Sequence, residues 1–335
     1  MKMETTKLRD VPIPASRVGL GTWAMGGVQW GGTDDHASVR TIHAAIDRGI
    51  NVIDTAPAYG FGHSEEVVGR AIRELGARDR VVLATKLGLE RHGDGLYRNS
   101  SRAQVMREVE DSLRRLKTDY IDLYQVHWPD PRTPYEETAE ALLELKRAGT
   151  IRAIGVSNYS IEAMEQFCKV TAISTAQPPL NLFERKSQTE VLPWCVAHSV
   201  GALTYGALCR GLLTGMIDKT TTFEGDDLRK VDPKFQPPRF AQYLEAAHLL
   251  DRYACDRYRK SLLAFAVRWV LDQPGVSVAL WGARHPHELD PVDDVMGWKL
   301  DAEAFAYVDE SIAHAVTDPV GSEFMAPPEE QYAAT

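Results

Sequence analysis

Cysteine is scarce in this chain, and its four residues, Cys168, Cys195, Cys209 and Cys255, form no C-x-x-C pair. Their spacing argues against a zinc knuckle or a redox dithiol and points to reduced thiols in a cytoplasmic protein. No stretch approaches the roughly eighteen uninterrupted apolar residues of a membrane span. The first residues, Met1-Lys2-Met3-Glu4-Thr5-Thr6-Lys7, also lack the apolar core of a secretory signal. Long basic runs are missing as well. With 38 Lys and Arg against 47 Asp and Glu the net charge is −9, which argues against general affinity for nucleic acid or an anionic membrane.

Three stretches fall short of the motifs they suggest. Gly60-Phe61-Gly62-His63-Ser64-Glu65 lacks the third glycine of a dinucleotide fingerprint. Gly155-Val156-Ser157-Asn158-Tyr159 lacks the glycine that closes a nucleophile elbow. His285, His287 and Glu288 crowd one short segment without metal-site spacing, so no metal is expected. With no linker or low-complexity segment, the expectation is one domain over residues 1–335, with a barrel at 15–315 and a tail at 316–335.

A hydrophobic content of 44% with 25% charged residues is ample for one sizeable core. Short apolar runs rich in β-branched residues alternate with amphipathic segments, the pattern of parallel strands joined by helical crossovers. Eight strands are predicted, at 18–23, 51–54, 81–86, 120–126, 151–157, 175–177, 202–205 and 277–280. Helix starts are predicted at Ser64, at Ser101 with Gln104 in capping-box spacing, at Thr133-Pro134 and at Ser160. Right-handed crossovers then close an α/β chain of this kind into a (β/α)8 barrel. Residues 7–13 are expected to form a hairpin turning near Asp10 that plugs the barrel's N-terminal end. The polar, proline-containing stretch 220–240 reads as an active-site loop. The tail reads as neither helix nor strand and is placed over the barrel mouth.

Three apolar runs end on polar groups: Asp54, Lys86 and His127, with Tyr59 just beyond the first. Barrel strands deliver such ends to one mouth. A tyrosine titrates near pH 10, so proton exchange near neutrality calls for a cation that stabilises the phenolate, and Lys86 can be that cation. A lysine inside a barrel needs a counter-charge, which Asp54 can supply. His127, neutral beside the ammonium, could polarise a substrate oxygen. The set suits reduction of a carbonyl or its reverse. For any one of these residues a packing or ion-pair role explains it as well; four at successive strand ends favour chemistry.

These residues resemble the aldo-keto reductases in family order along nearly the whole chain. The matching motifs are Asp54-Thr55-Ala56 with Tyr59-Gly60, Ser64-Glu65-Glu66 with Gly69, Ser112-Leu113-Arg114-Arg115-Leu116, Asp119-Tyr120-Ile121-Asp122-Leu123-Tyr124 with His127, and Gly155-Val156-Ser157-Asn158. The resemblance implies a (β/α)8 barrel that binds a nicotinamide dinucleotide without a Rossmann fold. It implies Tyr59 as general acid, tuned by Lys86 and Asp54, with His127 orienting the carbonyl. It further implies that Ser157, Asn158 and Gln177 hold the nicotinamide carboxamide and that Tyr205 stacks on its ring. Gly206, Ala207, Leu208, Arg210, Gly211, Leu212 and Leu213 would follow the pyrophosphate, Gly282, Ala283 and Arg284 would meet an adenosine 2′-phosphate, and Gly21, Thr22, Trp23 and Asp54 would complete the cofactor set.

Two departures stand out. Gly206-Ala207 replaces a frequent Ser-Pro, and Glu288 and Val292 stand where relatives often have Gln and Asn. Glu288, counted in the cofactor set, would repel a 2′-phosphate while Arg284 attracts it, so NADPH is expected over NADH. Trp23, Trp30, Tyr97 and Trp128, with Tyr59 and His127, are expected to wall a pocket for a small-molecule carbonyl. Residues 280–286 and 317–327 are similar to bacterial members that handle small hydroxy-aldehydes and polyols; a bulky sugar-derived or xenobiotic ketone also suits an aromatic wall. The alternatives are a cofactor-sensing subunit of the channel β-subunit type and a barrel isomerase or aldolase using Lys86 as a Schiff base.

Overall fold

A computed structural model describes residues 2–93 and 95–329. The chain opens with a hairpin, β1 (Thr5–Thr6) antiparallel to β2 (Ala15–Ser16), turning where Asp10 takes a positive φ of 62°. Eight parallel strands follow: β3 (Val18–Gly21), β4 (Val52–Asp54), β5 (Val82–Leu87), β8 (Ile121–Val126), β9 (Ile151–Ser157), β10 (Thr175–Gln177), β11 (Gly201–Thr204) and β12 (Val276–Gly282). They close into a barrel in chain order, β12 pairing back onto β3. Between β5 and β8 the chain inserts a hairpin absent from the sequence-based expectation, β6 (Leu89–His92) with β7 (Gly95–Arg98). Helices α1 (Asp35–Asp47), α2 (His63–Glu74), α3 (Arg102–Leu116), α4 (Tyr135–Arg147), α5 (Ile161–Cys168) and α6 (Val191–His198) alternate with the strands. Helices α7 (Arg239–Tyr253) and α8 (Leu262–Leu271) precede β12, and α9 (Val292–Val295) and α10 (Ala302–Ala315) follow it. Among the described residues no helix is long and apolar enough to cross a membrane.

The barrel interior is set by the two-residue period of its strands. Val52, Val82, Ala84, Leu123, Ala153, Leu203, Val278 and Leu280 point inward and pack together with Leu8, while Val11 and Ile13 of the hairpin close the bottom. One step higher with the same parity stand Asp54, Lys86, Gln125 and Gly155, then His127 and Ser157. The interior therefore turns from apolar to polar toward the C-terminal end. The opposite parity feeds the larger core between strands and helices, as with Ile53, Leu83, Tyr124 and Ile154.

Local signals hold at some helix starts and shift at others. Ser101 and Ser160 accept backbone N–H bonds as caps. Ser64 lies inside α2, whose cap position is Gly62, and its hydroxyl instead bonds to Thr22. Helix α4 starts after Pro134, while the Thr133 hydroxyl turns to Asp130. The 220–240 loop contains two short 3-10 turns, Leu228–Lys230 and Pro233–Phe235, and the tail contains one, Glu323–Met325. Residues 330–335 of the expected tail lie outside the described residues.

Helices α2 and α3 meet backbone to backbone at Gly69, where an added Cβ would lie 2.6 Å from the Arg115 carbonyl oxygen and 2.7 Å from Leu116 backbone carbon. Gly69→Ala, which by helix propensity alone would gain about 1 kcal/mol, should instead cost about 1–3 kcal/mol. The urea midpoint decides, and a value at or above wild type would contradict this packing. Behind β5, the buried Glu108 carboxyl accepts from the Gly88 N–H at 2.7 Å, and burial pushes its pKa from 4.5 up to about 8. Between those values the unfolded chain is ionised while the folded one stays protonated, so this group's stabilisation falls as pH rises through that window. Glu108→Gln should therefore raise the thermal midpoint more at about pH 8.5 than at about pH 5. An equal change at both would refute the assignment.

Candidate active site

The mouth is organised around Lys86. Its side chain is fully buried, and its ammonium donates to Asp54 Oδ1 at 2.5 Å, to the Thr55 carbonyl at 3.0 Å and to the Tyr59 hydroxyl at 3.1 Å. All three ammonium hydrogens are thus used. Burial pulls the Lys86 pKa down, but Asp54 and then Tyr59 more than offset it, and the net direction is upward. Burial likewise pushes the Tyr59 phenol up; Lys86 pulls it back and Asp54 opposes Lys86, leaving it above an ordinary phenol. The phenolate is therefore not brought down toward neutrality, and Tyr59 keeps its proton. His127 follows β8, its ring edge-on to Tyr59 with centroids 5.7 Å apart. Burial, and then Lys86, hold its pKa well below the usual value, so the imidazole is neutral.

Backbone contacts place the tyrosine. Gly60 has φ 62°, and a Cβ there would lie 2.2 Å from the Gly26 carbonyl oxygen. Glycine at 60 thus allows the Tyr59 loop to press against the β3–α1 connection. Thr22, expected at the cofactor, is fully buried and donates its hydroxyl to the Asp54 carbonyl. It fastens β3 to β4. Gly21 ends β3 in register with Asp54.

At the later strand ends, Ser157 Oγ donates to the Gln177 carbonyl at 2.9 Å. Asn158, at φ 60°, donates from Nδ2 to the His127 carbonyl, and its Oδ1 accepts from the Tyr205 hydroxyl at 2.9 Å. The Gln177 amide donates to Asp54 Oδ2 at 2.9 Å. In the following loop the N–H groups of Gly211 and Leu212 close turns onto Leu208 and Cys209, and positive φ recurs at Gly206, Cys209, Arg210 and Gly211. Ala207 and Leu212 belong to the core. Arg210 is buried, its guanidinium bound at 2.5 Å to both Glu184 and Asp232, so it is no spare phosphate partner. At the end of β12, Gly282 is exposed with nothing within 4 Å of a Cβ position. Arg284 donates from Nη1 to the Trp30 carbonyl at 3.0 Å, while its backbone N–H donates to Glu288 Oε2 at 2.7 Å. The same Glu288 oxygen also accepts from the His285 N–H, so it is turned onto backbone.

Of the expected wall, Trp23 stacks near Tyr59 with centroids 6.0 Å apart and meets Trp30 edge-on at 5.5 Å. Trp128 packs under Arg98, and Tyr97 lies on the unforeseen hairpin beside His92. The tail crosses the mouth. Lys234 donates to the Gly321 carbonyl at 2.5 Å, and Arg98 donates to the Pro327 carbonyl. Sequence reasoning missed Arg98, Lys234 and the fully buried Gln125, whose amide donates to Asp54 Oδ2 at 3.1 Å. Only Gln125 carried a signal: it shares the inward parity of Leu123 and His127.

The aldo/keto reductase family model matches residues 17–313. The chain is 57% identical over 326 residues to the aldo-keto reductase YhdN of Bacillus subtilis strain 168, covering 97% of this chain and 98% of that protein. It is 36% identical over 304 residues to the NADH-specific methylglyoxal reductase of Escherichia coli strain K12, covering 86% and 91% respectively. The glycerol dehydrogenase AKR11B4 from Gluconobacter oxydans has a similar structure, with a TM-score of 0.88 at 52% identity over 97% of this chain and 100% of that one. The closed barrel and these matches together mean that the chain belongs to the aldo/keto reductase family.

Proposed function

We propose that this oxidoreductase reduces an aldehyde or ketone with NADPH, reversibly, and that Tyr59 gives the carbonyl oxygen its proton. The observation that carries the reading is the Lys86 ammonium donating at once to Asp54 and to the Tyr59 hydroxyl. When bound, the reduced nicotinamide supplies the hydride. Tyr59, proton-loaded, gives up its proton to the more basic oxygen that develops on the substrate. The phenolate left behind faces the Lys86 ammonium, whose own charge Asp54 offsets. Neutral His127 donates a hydrogen bond to the same oxygen and holds it beside the phenol. A lysine kept charged by Asp54 is no amine nucleophile, which counts against a Schiff base.

The donor set fits a dinucleotide. Ser157, Asn158 and Gln177 offer hydroxyl and amide groups beside the Tyr205 ring, and Arg284 stands next to the open space at Gly282. Arg284 suits a 2′-phosphate through its forked donors, and Glu288 is occupied by backbone N–H groups. Four free cysteines suit a reducing cytoplasmic setting. For the substrate, a small hydroxy-aldehyde or polyol is favoured, because AKR11B4 is a glycerol dehydrogenase with 52% identity.

NADPH oxidation across small hydroxy-aldehydes, aromatic aldehydes and bulky ketones tests the reading; NADPH binding without turnover on any of them would favour a cofactor sensor. Tyr59→Phe should abolish turnover and leave NADPH affinity nearly unchanged, since only the proton-bearing oxygen is lost. Substantial activity in that variant would refute the assigned acid. Arg284→Ala should weaken NADPH by about tenfold to a hundredfold and NADH little, read by fluorescence titration. Equal losses for both nucleotides, or wild type binding NADH as tightly as NADPH, would sink the preference.

A further inference from the structure

Gln125 is a primary amide sealed inside the barrel at 0% exposure, a position that is costly unless its polar atoms find partners. It lies on β8, in register with Lys86 on β5 and with Gly155 on β9. Its Nε2 donates to Asp54 Oδ2 at 3.1 Å, the same oxygen that accepts from Gln177 Nε2 at 2.9 Å. Gln177 Nε2 also lies 3.4 Å from Gln125 Oε1. The space is cut for this side chain: a Cβ on Gly155 would lie 2.8 Å from Gln125 Cγ and 3.2 Å from its Oε1.

Two constraints follow. Asp54 has Oδ1 on the Lys86 ammonium and Oδ2 under two amide N–H groups, so its carboxylate cannot turn without breaking one of these bonds. The Gln177 amide cannot flip either, because a flip would set its oxygen against the Asp54 carboxylate and lose its approach to Gln125 Oε1. We propose that Gln125 is a positioning residue that locks Asp54 against Lys86 and fixes which end of the Gln177 amide is left to a ligand. The proton-donating set and the carboxamide-binding set are thereby held in one frame. This rests on the reading of Tyr59 and Lys86 given above.

Gln125→Met keeps the length and removes the amide. It should unfold cooperatively near the wild-type temperature and lose about tenfold or more in kcat for carbonyl reduction, with a smaller change in carbonyl KM. Gln125→Glu supplies a readout that packing alone would not move. A protonated glutamic acid can donate to Asp54 Oδ2 and an ionised one repels it, so kcat of this variant should fall with rising pH where wild type is flat. Wild-type kcat in a folded Gln125→Met protein, or a Gln125→Glu profile that superposes on wild type, would overturn the proposal. If Gln125→Met does not fold, the Gln125→Glu profile decides alone. Tyr59→Phe in the same assay separates the two ideas: its activity would fail the proton-donor reading itself, whereas an inactive Tyr59→Phe beside a wild-type-like Gln125→Met would fail only this inference.

Discussion

The Lys86–Asp54 ion pair governs the rest of the mouth. An ammonium at zero exposure is tolerated only with a counter-charge and a full set of acceptors, because the desolvation penalty is several kcal/mol per ion. Lys86 meets that condition with Asp54, Thr55 and Tyr59. The pair is nearly neutral as a unit, so Tyr59 feels a dipole more than a free positive charge. Burial then decides its direction and the phenol is left loaded with its proton. The same ammonium, added to burial, keeps His127 neutral. The proton-loaded phenol and the neutral imidazole therefore come from one constraint.

A second set of buried charges shapes the rim. Glu184 receives Arg210 at 2.5 Å and Lys234 at 2.8 Å, and Arg210 also reaches Asp232 at 2.5 Å. Burial opposes ionisation of Glu184, but Arg210 and Lys234 bring its pKa down to about 2. Two cations and two anions join the segment after β10, the loop after β11 and the 3-10 turn at Pro233–Phe235. The fourth partner is the tail, because Lys234 also holds the Gly321 carbonyl. Arg98 pins the tail farther on through the Pro327 carbonyl. A segment with almost no regular structure is thus fixed by cations that bind its carbonyls, which is why its path could not be read from hydrophobic periodicity.

How much of this was legible depends on the range of the interaction. All eight barrel strands could be read because most are short apolar runs in regular alternation with amphipathic segments, and the four residues at the centre of the mouth because each ends or follows such a run. The side-chain partners of Thr22 and Arg210 were not legible, for a common reason. Their partners, Asp54, Glu184 and Asp232, are 22 to 32 residues away in the chain, and no local pattern says which polar group a side chain will meet. The β6–β7 hairpin was missed because its strands, Leu-Glu-Arg-His and Gly-Leu-Tyr-Arg, carry no apolar run.

Gln125 is the instructive case, since its signal was present. In a closed barrel the parity of one apolar interior residue fixes the parity of the whole strand. Leu123 inside therefore places Gln125 inside, as Val52 places Asp54 and Ala84 places Lys86. A polar residue two steps above an apolar interior one has nowhere to go except into the mouth, where an unpaired amide would be costly. Its partners must then be the other polar residues of the same parity. Glycine at 155 marks where one of those side chains crosses a neighbouring strand. Period, parity and the penalty for unpaired polar groups thus lead from a single strand to a network joining four, once closure of the barrel is granted.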